Sequence, residues 1–359
     1  MSGIFGVLNI NDSDRVYLST LGQGVVYDAV NEILTRHNAE LNAALGVFVD
    51  ETTEDHKRRY KLPGGGRMQR LGNQSTAAAV KATGSWDVAY PLEEFAASWG
   101  SDRVDYAYMT VQDLDRHLKT ITAQNINTVR FELLKALLNS AQDTFIDPLW
   151  GSLSIEPLAN GDSVVFPPVL GSESEAAENH YLESGYAAAS ISDSNDPVVT
   201  AVDELEEHFG AATGGSNIVI FCNNAQRAKL GGLTDFDPVV DRFINPGTQT
   251  AVPDGLPAGV PGRILGRHNA GAWLVEWRWI PANYLVGIHM DAPAPLVKRR
   301  DPGYTNLPDG LTLVKESDMY PFTQSHYSNR FGFGAGNRLN GVVIELGTGG
   351  TYTVPTAYA

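Results

Sequence analysis

Residues 110–141 read TVQDLDRHLKTITAQNINTVRFELLKALLNSA, without a Gly or a Pro. They lie inside a longer gap: neither residue type occurs in the 47 positions between Gly100 and Pro148, although the 359-residue chain holds 36 Gly and 19 Pro. Thr110 and Asp113 form a hydroxyl–x–x–carboxylate cap signature, in which each side chain satisfies a free amide of a helix's first turn. Val111, Leu114, Leu118, Ile121, Val129, Leu133 and Leu137 then recur at three- to four-residue spacing. A helix from Thr110 to about Ala141 would be on the order of 45 Å long at 1.5 Å per residue. Few globular helices are so long, so other elements must lie along it.

Outward from that helix the signals are mixed. A second helix is expected after Asp196, with Pro197 at its first position and Gly210 at its exit; Val198, Val202, Leu205 and Phe209 supply its apolar face. A third spans Asp28 to Leu45, with Val30, Ile33, Leu34, Leu41 and Leu45 apolar. Asn217–Asn223 reads as a buried strand, followed by a short helix at Ala225–Leu230. Ala272–Met290 is aromatic and β-branched but broken by Pro281, and Leu311–Val314 and Val342–Leu346 are shorter strand candidates. Nine of the 23 residues from Ile244 to Gly266 are Gly or Pro, which marks a long loop. The fold class is α+β, without the regular alternation of a doubly wound sheet.

Composition excludes several functions. The formal net charge is −16, whereas a chain devoted to gripping nucleic acid leans basic. A single cysteine, Cys222, rules out an internal disulfide and an all-cysteine zinc site. No apolar run approaches the roughly 20 residues that span a bilayer, and the apolar start Ile4–Leu8 follows no basic residue, so neither a membrane role nor a secretory signal is expected.

The charges are unevenly placed. His56–Leu71 (HKRRYKLPGGGRMQRL) carries Lys57, Arg58, Arg59, Lys61, Arg67 and Arg70 and no acid, around a Pro63–Gly66 centre that suits the tip of an extended hairpin. Residues 136–226 carry 14 acids and no Lys or Arg; among them are Glu173, Glu175, Glu178, Glu204, Glu206 and Glu207. Three readings follow. Both stretches are solvated faces; or the hairpin grips phosphate while acids repel it elsewhere; or the hairpin of one copy lies on the acidic region of the next. That last arrangement joins two different patches and so builds rings or open arrays rather than a two-fold dimer.

Catalytic patterns are absent. Gly64–Gly66 leads into Arg67 rather than the Lys-Ser/Thr of a phosphate loop, and Gly332-Phe-Gly334-Ala-Gly336 lacks dinucleotide spacing and reads as a glycine-rich bend. No Gly-x-Ser-x-Gly or His-Glu-x-x-His occurs among the eight histidines. Asp235, Asp237 and Asp241 fit a cap before a helix better than a cation site. Cys222 reads as a core residue. Trp273, Trp277 and Trp279 alternate as on one side of a strand, which suits packing better than sugar stacking. No catalytic residue, cofactor or metal is expected.

The order of features carries a resemblance. After the basic hairpin and the long helix come an acidic region, a strand with Asn223-Asn224, and a Gly/Pro-rich loop. Next come Trp279-Ile-Pro-Ala-Asn-Tyr-Leu-Val-Gly-Ile288, then Pro295-Leu-Val-Lys-Arg-Arg300 and Arg330-Phe-Gly-Phe-Gly-Ala-Gly-Asn-Arg338. This pattern resembles the major capsid proteins of tailed double-stranded DNA bacteriophages, the family with the Hong Kong 97-type capsid fold.

The resemblance implies an N-terminal arm at 1–46, an extended loop at 47–108 and a peripheral domain at 109–195 with its spine helix at about 110–141. An axial domain at 196–290 and a return to the peripheral domain at 291–359 complete it. It further implies pentamers and hexamers of this chain around DNA bound without sequence specificity, in a virion assembled in a bacterial cytoplasm. Subunit contacts are expected from the basic hairpin, the six named glutamates, and Arg299 and Arg300. With no long charged N-terminal extension, scaffolding would come from a separate protein; a portal and cement or decoration proteins are the other implied partners. The nearest alternative is an encapsulin-like compartment shell; a more distant one is a carbohydrate-binding or carbohydrate-active protein using the three tryptophans.

Overall fold

A computed structural model describes residues 23–61, 68, 85–167, 169, 176–209, 217–238, 259–319 and 322–359. Helix α1 (Gln23–Leu45) is followed by β1 (Val49–Thr53), β2 (Lys57–Lys61), β3 (Ser85–Ala89) and β4 (Glu93–Asp102). Next come a short α2 (Arg103–Tyr108), the long α3 (Val111–Leu138), β5 (Asp143–Asp147), β6 (Gly151–Ile155), β7 (Tyr181–Glu183) and α4 (Pro197–Phe209). Then follow β8 (Ile218–Cys222), a one-turn α5 (Arg227–Leu230), β9 (Phe236–Pro238), β10 (Arg263–His268), β11 (Ala272–Glu276) and β12 (Tyr284–His289). The last strands are β13 (Leu296–Arg299), β14 (Thr312–Met319), β15 (Phe322–Ala335) and β16 (Val342–Glu345). Among the described residues no helix is long and apolar enough to cross a membrane.

The helix boundaries follow local chemistry. The Thr110 hydroxyl accepts the Asp113 amide at 3.2 Å, and the Asp113 carboxylate accepts the Thr110 amide at 3.3 Å, closing the reciprocal cap that starts α3. Its 28 residues give a rod of about 42 Å. Asp196 Oδ1 accepts the Val198 amide at 2.8 Å, so α4 begins where its cap predicts; its expected exit, Gly210, lies outside the described residues. Helix α1 starts earlier than expected, at Gln23, and Ile33 points to solvent rather than into the core.

The chain divides into two compact units. The first is drawn from Met1–Ala43, Leu92–Glu132 and Arg300–Gly332. Here β15 pairs antiparallel with β14 on one side and with β4 on the other. Val30 and Leu34 of α1 pack with Leu118 and Ile121 of α3 and with Leu311 and Tyr327. Asn38 ties α1 down by accepting the Leu311 amide (2.9 Å) and donating to its carbonyl (3.0 Å).

The second unit holds Ala44–Pro91, Leu133–Arg299 and Phe333–Ala359. Its centre is a seven-stranded sheet in the order β7-β16-β12-β8-β11-β10-β9. Strand β8 is wholly buried between a parallel β11 and an antiparallel β12. Ile218, Ile220 and Cys222 face Val198, Ala201, Val202 and Leu205 of α4, the period-2 face of a strand meeting the period-3.6 face of a helix. Phe221, on the opposite face, packs tilted against Phe48 and edge-on to Trp277. Burial drives the Cys222 thiol up to about 12, so it stays protonated and inert.

Four sequence expectations change. Strand β11 ends at Glu276, and Trp277 opens a turn closed by the Ile280 amide on its carbonyl, so the three tryptophans do not share a strand face. Gly332 and Gly334 lie within β15 rather than in a bend. A Cβ on Gly334 would sit 2.7 Å from the Tyr90 ring, so the glycine serves close packing. Asp237 lies in β9, and Asp235 accepts Asn269 Nδ2 at 3.1 Å, so neither caps a helix; Asp241 is outside the described residues. Of the loop expected at 244–266, residues 263–266 belong to β10, and 244–258 are outside the described residues.

Candidate functional site

The basic strand is neutralised at its root by its own subunit. In the β2–β3 hairpin Arg59 lies opposite Asp87. Arg59 donates to both Asp87 oxygens (2.5 and 2.9 Å), and Lys57 reaches the same carboxylate at 2.9 Å. Hydrogen bonds from Arg59 and then Lys57 hold the Asp87 carboxyl far below the usual carboxylate range. On the other side of the strand Arg58 donates to Asp55 (2.7 Å), to the Thr53 hydroxyl (2.8 Å) and to Glu51. Lys61, at the distal end, forms no ion pair among the described residues. Arg67 and Arg70 lie outside them. The free positive surface expected from the sequence is therefore smaller at the root, because the acids that answer it come from residues 51, 55 and 87.

The acids do not form one solvated face either. Glu204 and Glu207 project from the last turns of α4, and Glu178 approaches from the segment before β7; Glu173 and Glu175 lie outside the described residues. Ligand atoms of Glu178, Glu207 and His208 lie within 4.8 Å of one another. Burial, then the charges of Glu207 and Glu178, push the Glu204 carboxyl up to about 7. Glu206 is half-buried on the same turn. His180, fully buried, stacks on His208 at 5.3 Å and has a ring-nitrogen contact with the Gly341 carbonyl at 2.9 Å. Burial lowers its pKa to about 4 and keeps it neutral.

The two arginines expected at contacts, Arg299 at the end of β13 and Arg300 just after it, separate. Arg300 is exposed. Arg299 is internal, only 3% exposed, and is held by Asp147 and by the Tyr90 carbonyl. Strand β13 ends at Arg299 with all four of its residues buried, and Arg300 lies just past that end.

Two features escaped the sequence reading. Arg338, fully buried, donates to the carbonyls of Pro157 (2.8 Å) and Leu158 (3.2 Å), to Asn160 Oδ1 (3.2 Å) and to Asp162 (2.7 Å). It therefore acts as an internal clamp on an otherwise irregular segment. The β5–β6 hairpin exposes Ile146 (77%), Leu149 (72%) and Trp150 (57%) together at its turn. The local string Ile146-Asp-Pro-Leu149-Trp150-Gly151 is the signal that would have found it: bulky apolar residues at a Pro/Gly turn.

No protein-family model matches the chain, and no curated protein matches it in sequence. A solved chain of Mycobacterium phage Patience superposes with a TM-score of 0.67 at 16% identity, covering 99% of this chain and 98% of that one. The chain has the Hong Kong 97-type capsid fold. Weaker likenesses include the capsid of the native GTA particle (15% identity, 84% of this chain and 89% of that, TM-score 0.45). The virus-like particle from Pyrococcus furiosus is another (10%, 88% and 100%, TM-score 0.41).

Proposed function

We propose that this chain is the major capsid protein of a tailed double-stranded DNA phage, assembling with copies of itself into the pentamers and hexamers of an icosahedral head. The observation that carries this reading is the end-to-end correspondence, at a TM-score of 0.67, with a chain of a mycobacteriophage. The surface supports it. A turn presenting Ile146, Leu149 and Trp150 is costly for an isolated subunit and suits burial against a neighbour. The role is structural rather than catalytic: the one cysteine is inert and buried, and Arg338, Arg299 and Asp147 are used in holding the subunit together.

Charge supports the same reading. A net charge of −16 repels packaged DNA, so acids facing the interior would let the genome slide during filling. In this reading the chain is made and assembled in the bacterial cytoplasm and ends in the virion. A separate scaffold guides curvature, a portal occupies one vertex, and cement proteins bind outside. Lys61, Arg67, Arg70 and Arg300 then serve the contacts between copies, with Glu173 and Glu175 as opposing charges.

Negative-stain electron microscopy and light scattering on the protein, purified alone and after coexpression with a scaffolding protein, test the proposal. Closed polyhedral particles or five- and six-fold rings are expected, and nucleic acid in particles from infected cells identifies the cargo. A monomer that stays a monomer with its scaffold would overturn it.

A further inference from the structure

We propose that Glu178, Glu207 and His208 form a binding site for one divalent transition cation of the Zn²⁺ class. The three donors converge from two elements, the last turn of α4 and the segment leading into β7, with ligand atoms within 4.8 Å of one another. At metal–ligand distances of about 2.0–2.2 Å, small side-chain rotations bring such a set onto one ion.

Three independent features point to a cation here. The His208 side chain is only 4% exposed, yet its Nε2 has no hydrogen-bond partner. The carboxylate oxygen Glu207 Oε1 is 3.6 Å away, beyond hydrogen-bond reach. A buried ring nitrogen left unpaired costs free energy, and a metal bond would remove that cost. The carboxylates also lack a counter-ion: among the described residues neither Glu178 nor Glu207 pairs with a Lys or Arg, and residues 136–226 contain none. Finally, the site lies at the C-terminal end of a 13-residue helix, where the helix dipole favours positive charge.

The donor set selects the metal class. One imidazole with two carboxylates suits Zn²⁺, Co²⁺ or Mn²⁺, whereas Mg²⁺ and Ca²⁺ favour all-oxygen shells of six or more ligands. His180, stacked on His208 at 5.3 Å, fixes the imidazole plane. The sequence expected no metal because Glu178 is 29 residues from Glu207 and their meeting is tertiary.

The test uses the full chain, stripped with a chelator and titrated with ZnSO₄ by calorimetry, with MgSO₄ as control. One Zn²⁺ should bind per chain. At a hundredfold excess over Kd it should raise the unfolding temperature by roughly 5 °C, while Mg²⁺ leaves it unchanged. Co²⁺ should give visible absorption bands in the native chain that Glu207→Gln and His208→Asn both abolish. Glu178→Gln, on the other element, should weaken Zn²⁺ binding at least tenfold; because it removes a charge from an acidic cluster, its apo form should fold. Absence of Zn²⁺ binding to the native chain, or undiminished binding in Glu178→Gln and Glu207→Gln, would overturn the proposal.

Discussion

Asp147 and Arg299 meet at 2.9 Å inside the subunit, each side chain only 4% exposed. The same carboxylate accepts the amides of Leu149 (2.9 Å) and Trp150 (3.2 Å), so one buried acid joins β13 to the turn that carries the exposed apolar residues. Burial opposes the charge on Asp147, but the two amides and the guanidinium outweigh it and hold its pKa below the usual 3.8.

Asp147→Ala should therefore destabilise the subunit by about 3–5 kcal/mol, because it leaves the Arg299 charge buried and unpaired. Urea unfolding of the subunit measures this, and a double variant with Arg299→Met should lose less than the two single losses combined. The pH dependence has a definite sign. Since folding lowers this pKa, the stabilisation is present above the unfolded value of about 3.9 and is lost as pH falls below it. Native Asp147 should steepen the acid limb of the stability curve, and Asp147→Asn should flatten it.

The basic hairpin separates two effects that the sequence merged. Arg59 is held by Asp87, whereas Lys61 has no partner among the described residues. Lys61→Glu should impair assembly, read by light scattering, while leaving the subunit's unfolding temperature unchanged. Arg59→Glu should impair assembly and also loosen the β2–β3 hairpin, seen as faster amide exchange at Tyr60 and Trp86, which face each other in that ladder. Normal particles from Lys61→Glu would return the distal strand to the role of a solvated face.

Trp150 stacks on His56 with ring centroids 4.1 Å apart and planes 6° from parallel, and is still 57% exposed. If its open side packs on another copy, Trp150→Ser with Leu149→Ser should raise the concentration needed for assembly at least tenfold while changing subunit stability little. Unaltered assembly would assign this turn to a partner other than the chain itself.

What the sequence revealed was local. The cap at Thr110, the punctuation around Pro197 and the run Ile218–Cys222 are decided by residues within a turn or two of each other, and each forms its expected element. What it concealed depends on distant partners. Arg59 meets an acid 28 positions away. Gly332 and Gly334 look like a bend because glycine disfavours strands. They lie in β15, and Tyr90, far earlier in the chain, packs where a Cβ would stand on Gly334. Arg299 looked like its neighbour Arg300, but β13 ends at Arg299, which is buried in an ion pair, while Arg300 just beyond it is exposed.

Arg338 gives the sharpest test of whether the passage from 330 to 338 serves the fold or the surface. Its guanidinium satisfies two backbone carbonyls, an amide oxygen and Asp162, and lies 5.8 Å from the centre of the Phe166 ring. Arg338→Met keeps much of the volume but leaves the carbonyls of Pro157 and Leu158 without that donor. The expected loss is about 2–5 kcal/mol by denaturant unfolding. Arg338→Lys should recover only part of it, since an ammonium lacks the planar fork that serves four acceptors at once. A stability within about 0.5 kcal/mol of the native chain would mean that the carbonyls find water instead, and that the clamp adds little to stability.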